Sequence, residues 1–337
     1  MTKYFFFLTV PLVGYVSIIS SGWMSFGLLI YAFLVVPLLE LAFTPDRQNL
    51  NNEEQLNLKS QKRFDLLLYS VLPFYAGLLM VFLDIQTNSQ VGVGQLLSFG
   101  ILCGVMAINA GHELGHRHNG FERGIGEALL ILSLQSHFLP YHNHGHHRNV
   151  ATPNDPATAK KNEPIYVFWF RSQIGSYVAA WRIEWQRLSR KGKPTLSLGN
   201  RMVRYTLLQA VLITTIYWIY GGAILLNFFL VCVIGALLLE TVNYIEHYGL
   251  LRAQDSQGKY ERVTPMHSWN SDHILGRLLL FELSRHSDHH ANPGKPYQIL
   301  SSFDNSPQMP TGYPGMMLLS LIPPIWFRIM NPRIPQE

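Results

Sequence analysis

From Tyr4 to Leu39 the chain carries no charged residue, and the apolar run is broken near its middle by Ser20, Ser21 and Gly22. A helix rising ~1.5 Å per residue needs ~20 apolar residues to cross ~30 Å of hydrocarbon. The run therefore predicts a helical hairpin of two spans, about 4–20 and 23–43. A cleaved leader is the lesser reading, because the stretch is too long and no small-residue cleavage motif follows it. Four more runs repeat the pattern, at about 65–83, 91–111, 205–220 and 223–243. Tight turns near 21, 88 and 222 arrange the six as three hairpins. Helices of a soluble protein rarely run this far without charge on one face. The expected fold is an all-α integral membrane protein, a single membrane domain over 1–337 with six transmembrane helices.

Composition supports this. Only 14% of the 337 residues are charged, against ~25% in ordinary soluble domains. The basic excess, 26 Lys and Arg over 21 Asp and Glu, could suggest a nucleic-acid partner. Its distribution says otherwise. With the N-terminus inside, the outer turns 20–22, 84–90 and 221–222 contain no Lys or Arg, so every positive charge falls on the inner side. The balance then reflects topology and an anionic inner leaflet, and no nucleic-acid partner is expected. Cys103 and Cys232 lie in apolar runs, which excludes a disulfide framework or a thiolate metal module.

Two long inner segments remain, 112–204 and 244–337. In the first, Gly126 to Phe138 reads as a short apolar helix, Ile165 to Arg190 as an amphipathic helix suited to the membrane surface, and Gly192 to Gly199 as a linker. In the second, Tyr313 to Met330 is apolar but interrupted by Pro323 and Pro324, which favours an interfacial piece over a seventh span.

These segments carry all 14 histidines. The fourth span runs into His112-Glu113-Leu114-Gly115-His116, where two imidazoles one turn apart can grip one metal. Alone, this string also describes zinc proteases with Glu113 as general base. It is joined by His142-Asn143-His144-Gly145-His146-His147 and by His286-Ser287-Asp288-His289-His290, both ending in paired histidines with another at i−3 or i−4 on the same predicted face. His247 closes the sixth span. The spacing thus selects His112, His116, His142, His146, His147, His247, His286, His289 and His290. Nine imidazoles exceed the four that a tetrahedral ion takes, so two ions are expected. Imidazole suits iron, copper, zinc and nickel alike. His118, His137, His144, His267 and His273 do not repeat the spacing and are read as structural or solvated. Glu113, Asp155, Glu246 and Asp288 lie within or near the clusters, where acceptors that fix imidazole tautomers are expected. Glu240 and Asn243 share the His247 face of the sixth span, and an acid at that depth requires a partner or a function.

Several longer strings carry a family resemblance: His112-Glu-Leu-Gly-His116, Val150-Ala-Thr-Pro-Asn-Asp-Pro-Ala157, Asn243-Tyr-Ile-Glu-His-Tyr-Gly-Leu250, His267-Ser-Trp-Asn-Ser-Asp-His273 and Arg285-His-Ser-Asp-His-His-Ala-Asn292. Together with Pro37-Leu-Leu-Glu40 and Pro310-Thr-Gly-Tyr-Pro-Gly315 they resemble the integral-membrane alkane 1-monooxygenases, within the membrane diiron superfamily of fatty-acid desaturases and hydroxylases. The likeness runs from about residue 23 to 333. It implies a six-span fold in a bacterial inner membrane, with two iron ions on the cytoplasmic side held by the same nine histidines. It also implies O2 as co-substrate and electrons from rubredoxin and its NADH-dependent reductase. One departure stands out: Tyr141 occupies the position before His142 where the family usually has Glu.

An alkyl C–H bond offers no charge for an acid or base to grip, so its oxidation calls for metal-activated oxygen in a water-excluding site. The expected reaction is hydroxylation of the terminal carbon of a medium- or long-chain alkane that arrives from the bilayer. Tyr31, Ala32, Phe33 and Val36, ahead of a kink expected at Pro37, are candidate tunnel residues. Three readings compete: a related hydroxylase or desaturase acting on fatty acyl chains or aromatic methyl groups, a zinc protease, and a non-enzymatic metal-binding membrane protein.

Overall fold

The structure is a computed structural model describing residues 2–335. It is all-helical apart from two isolated bridges. Among the described residues, five helical segments are long and apolar enough to cross a bilayer: Thr2–Ile19, Gly22–Ala42, Arg63–Ile85, Val93–Gly115 and Arg201–His247. The chain is an integral membrane protein. The fifth segment is 47 residues long and breaks at Gly221, whose φ of 82° and ψ of 174° are not helical. Only a residue without Cβ adopts such a conformation readily. On either side of the break, Tyr220 Oη donates to Asp84 (2.6 Å) and Asn227 Nδ2 to Gln86 (2.7 Å), so both arms meet the end of the third segment. Trp23 and Trp218, 85% and 80% exposed, stand beside the turns at 20–22 and 221, as aromatic side chains do at a membrane boundary.

The chain folds as two compact units. The first comprises 1–31, 63–143 and 177–239. The apolar middles of its spanning helices are held by rings and small polar bridges. Phe82 stacks on Phe99 with ring centres 4.4 Å apart. Ser98 Oγ donates to the Ser25 carbonyl (2.7 Å), and the Leu28 amide to Ser17 Oγ (2.9 Å). At the charged end of the third and fourth segments, Arg117 reaches both Asp65 (3.3 Å) and Glu113 (3.1 Å). The expected helix from Gly126 to Phe138 instead spans Gly120–Leu132, because Asn119 accepts from the Phe121 amide and caps an earlier start.

The second unit comprises 32–62, 144–176 and 240–337. Here two of the long motifs meet. Glu40, 2% exposed, accepts from the Gly276 amide (2.7 Å), and a Cβ on Gly312 would overlap its carboxylate. The kink expected at Pro37 takes the form of a π-helical turn over Tyr31–Val35, since proline has no N–H for the preceding turn. The apolar stretch from Tyr313 divides into Tyr313–Ser320 and Pro323–Met330.

The amphipathic helix spans Ile165–Ser189. It buries Phe168, Ser172, Ser176, Ala180, Glu184 and Leu188 while exposing Phe170, Ile174, Val178 and Trp185. Glu184 is the one acid on the buried stripe. It accepts from Arg187 Nη2 (2.7 Å), Arg201 Nη2 (2.7 Å) and the Arg201 amide (2.8 Å). Burial alone would raise its pKa, but these hydrogen bonds bring it from the usual 4.5 down to about 2. A carboxylate depressed in this way stabilises the fold above about pH 4.5, and the contribution fades as the pH falls toward 2. Glu184→Gln is therefore expected to cost about 3 kcal/mol at neutral pH. The deficit in melting temperature against the parent should shrink as the pH is lowered through that window.

Candidate metal centre

Two sets of imidazoles converge, one in each unit. In the first unit the helix Ala110–Gly115 continues the fourth span and presents His112, with His116 as its last turn. Their Nε2 atoms are 3.1 Å apart, and His112 Nε2 lies 2.9 Å from His142 Nε2. Phe138 stacks on the His142 ring at 4.5 Å, and Asn143 Nδ2 donates to the Gly115 carbonyl (2.9 Å). Tyr141 is buried directly before His142.

In the second unit His146, His247, His286 and His290 are all buried, with one nitrogen of each within 4.8 Å of the others. The Nε2 atoms of His146 and His290 are 3.2 Å apart, as are those of His286 and His247. His147 and His289 face each other beside this set, ring centres 5.0 Å apart. Burial and the surrounding imidazoles hold His290 well below the usual 6.5, the neutral form a metal requires.

Helical spacing read from sequence groups these residues only in part. His286 and His290 share one set, as four-residue spacing on the helix His286–Ala291 demands. His142 and His146 have the same spacing but join different sets. The segment His142–His146 is a π-helical turn, so the regular α-helical register does not run through it.

The surrounding strings hold the rings. His146 Nδ1 is 2.9 Å from Asp155 Oδ2, which also accepts from Thr158 Oγ1 (2.7 Å). That bond occupies the outer ring nitrogen and turns Nε2 toward His290. Ala151 takes a left-handed φ of 56° and donates its amide to Thr158 Oγ1 (2.9 Å), which shapes the 150–157 loop around Asp155. The Trp269 amide donates to the Glu246 carbonyl (2.8 Å) and its indole to the Tyr248 carbonyl (2.9 Å), closing the end of the long helix beside His247. Ser287 Oγ donates to the Ser268 carbonyl (2.8 Å) and ties the third histidine cluster to the same segment.

The carboxylates divide. Glu113 pairs with Arg117, and Asp288 accepts from Lys295 (2.6 Å), Asn292 (2.8 Å) and the Ser301 amide (2.7 Å). Both were expected to serve imidazoles; the groups on Asp288 are a lysine, an asparagine and a loop amide. Asn243 donates to Glu240 at 3.3 Å, both buried. Glu246 places Oε2 3.2 Å from His286 Nε2 and accepts from Tyr313 Oη (2.8 Å) on Oε1. Of the five histidines set aside, His137 packs against Tyr177, His267 contacts Glu261, and His273 contacts Ser271. Sequence reasoning gave no role to Trp269, Ser287 or Tyr313. All three lie in strings that carried the family resemblance, and that was the available signal.

Apolar spans ending in buried imidazole sets define a membrane protein with a histidine-built, diiron-type metal centre. A family model for fatty acid desaturase matches residues 89–320. The alkane 1-monooxygenase of Pseudomonas putida is 40% identical over 98% of this chain and 85% of its own length. That of Ectopseudomonas oleovorans is 39% identical over 96% and 82%. The hydroxylase component of the Pseudomonas putida xylene/toluene monooxygenase is 31% identical over 79% and 72%. The chain belongs to the fatty acid desaturase family and, within it, to the alkane 1-monooxygenases.

If Asp155 fixes the His146 tautomer, Asp155→Asn should weaken metal retention about 10–100-fold, measured by chelator competition, without changing the number of ions bound.

Proposed function

We propose that this enzyme hydroxylates the terminal carbon of medium- or long-chain alkanes at two iron ions. The observation that carries the reading is the set of four buried imidazoles, His146, His247, His286 and His290, whose nitrogens converge on one point in a chain of this family. The donors fit the group. Two ligands each ~2.1 Å from one ion and at right angles lie ~3 Å apart, and the Nε2 pairs are separated by 2.9–3.2 Å. Four histidines account for one ion, and the family resemblance, which implies nine ligands for two ions, leaves His112, His116, His142, His147 and His289 as candidates for the second. The relatives favour iron over the other metals that imidazole accepts.

When bound, the ions supply the O2-derived oxidant that an unactivated C–H bond requires, at the expense of two electrons and two protons. The chain supplies the setting. The apolar spans admit an alkyl chain and exclude water, while Asp155 orients His146. Asn243 and Glu240 stand one and two turns up the same helix from His247. We read the break at Gly221 as a hairpin, which makes six spans, with the basic segments and the metal centre on the cytoplasmic side of the inner membrane. Electrons come from rubredoxin and its NADH-dependent reductase, which fits the naming of the relatives as alkane monooxygenases. The tunnel is lined by Tyr31, Ala32, Phe33 and Val36. A zinc protease would use Glu113 as a free base, and here Glu113 is engaged by Arg117.

Membranes holding the enzyme, given a rubredoxin system and a mixture of alkane, fatty acid and xylene, should yield 1-alkanol. Oxidation of the fatty acid or xylene alone would favour the sister reading, and no oxidation would remove both. His290→Ala should abolish turnover and lower the bound iron from two ions to one. Ala32→Trp should shorten the longest alkane accepted, as seen by product chromatography.

A further inference from the structure

We infer that the first unit holds one anionic phospholipid in a groove between its first and third spanning segments, with the phosphate at Arg63 and Lys3 and an acyl chain below them. The groove measures about 610 Å3, within the ~300–1,000 Å3 of sites that hold small ligands. Its walls follow from helical winding. Thr2–Leu8 is a 3-10 helix, so at about three residues per turn Thr2, Phe5 and Leu8 fall on one line and form one wall. Arg63–Ile85 is α-helical, and Arg63, Leu66, Ser70 and Phe74 recur along one face to form the other. Phe5, Leu66 and Phe74 are half or more exposed, and Ser70 Oγ is spent on the Leu67 carbonyl (2.7 Å). Beyond Arg63 the groove therefore presents carbon.

The walls are pinned at one end, where the buried Tyr4 and Phe64 meet edge to face with ring centres 5.7 Å apart. Two cations stand on those rings. Lys3 Nζ is 5.0 Å from the Tyr4 centre, and Arg63 Cζ is 5.5 Å from that of Phe64. A guanidinium resting on a ring keeps its in-plane N–H donors for a phosphate. Asp65 meets Arg117 (3.3 Å), and among the described residues no acid forms an ion pair with Arg63. Length and polarity select the occupant. From Arg63 to Phe74 the helix rises about 16 Å, half of a ~30 Å hydrocarbon core and hence one leaflet. An alkane would cover the carbon and leave the cations unanswered, and free phosphate would do the reverse. A phospholipid satisfies both, and paired cations favour a net negative headgroup over a zwitterionic one.

The test uses the full-length protein, stripped of lipid in a mild detergent and titrated with phosphatidylglycerol or with phosphatidylcholine of the same chains. Bound lipid is counted by native mass spectrometry. One phosphatidylglycerol should bind per chain, with phosphatidylcholine about fivefold weaker. Arg63→Gln should weaken phosphatidylglycerol about fivefold, the share of one basic side chain at an anionic surface, and leave phosphatidylcholine unchanged. Ser70→Trp, which fills the groove, should weaken both. If Ser70→Trp does not fold, Arg63→Gln decides, since that side chain is exposed. Equal affinity for the two lipids, uptake of many lipids without a stop at one, or an Arg63→Gln protein that binds as the parent does would each overturn the site. So would a dimer that takes up no lipid, in which a second chain fills the groove.

Discussion

Imidazole nitrogens brought within about 3 Å of one another, out of water, are what the fold must enforce. Neutral rings do not assemble in this way unaided, because each buried nitrogen gives up hydrogen bonds to water. The second unit meets that cost with contacts drawn from four distant parts of the chain. The 150–157 loop holds Asp155 against His146, Trp269 closes the helix that ends at His247, and Ser287 ties His286–Ala291 to Ser268. Arg285 extends the same network. Its guanidinium donates to the carbonyls of Leu300 (2.6 Å) and Gln48 (3.0 Å), so the segment before His286 is anchored on both sides.

The membrane architecture could be read from sequence because its cause is local. A run without charge has few soluble solutions, and the apolar runs expected to span overlap the long apolar helices of the described residues. What escaped was detail set by single residues. Asn119 moves a helix start six residues upstream of the expected Gly126. Pro37 produces a π turn before itself rather than a bend at its own position. Gly221 could be placed at a turn from its neighbours, yet its left-handed conformation is a property of the backbone that composition does not carry.

The candidate ligands were legible for a related reason. Repeated spacing is improbable without a shared partner, and all nine histidines selected by it belong to the two imidazole sets or face each other beside them. The partition among the sets was not legible, because equal spacing has two outcomes: His286 and His290 share a set, and His142 and His146, across the π turn, do not. The carboxylates were harder still. Glu113, Asp288 and Glu246 all sit next to histidines, and adjacency does not say which atom they face. That is decided by Arg117, Lys295 and Tyr313, at separations of four, seven and sixty-seven residues. Only the first falls within one helical turn.

The same geometry bears on Tyr141. At the end of Phe138–Tyr141 it is buried directly ahead of His142, in the position where the family usually carries a Glu. A carboxylate there would bring a negative charge beside His112, His116 and His142, and a phenol brings none near neutral pH. The substitution therefore leaves the imidazoles in place and alters the charge around them. In the second unit Glu246 and Asp155 both lie against the imidazole set. The two sets thus differ in electrostatic character as well as in membership, and a metal ion's potential depends on the charge and hydrogen bonding around it.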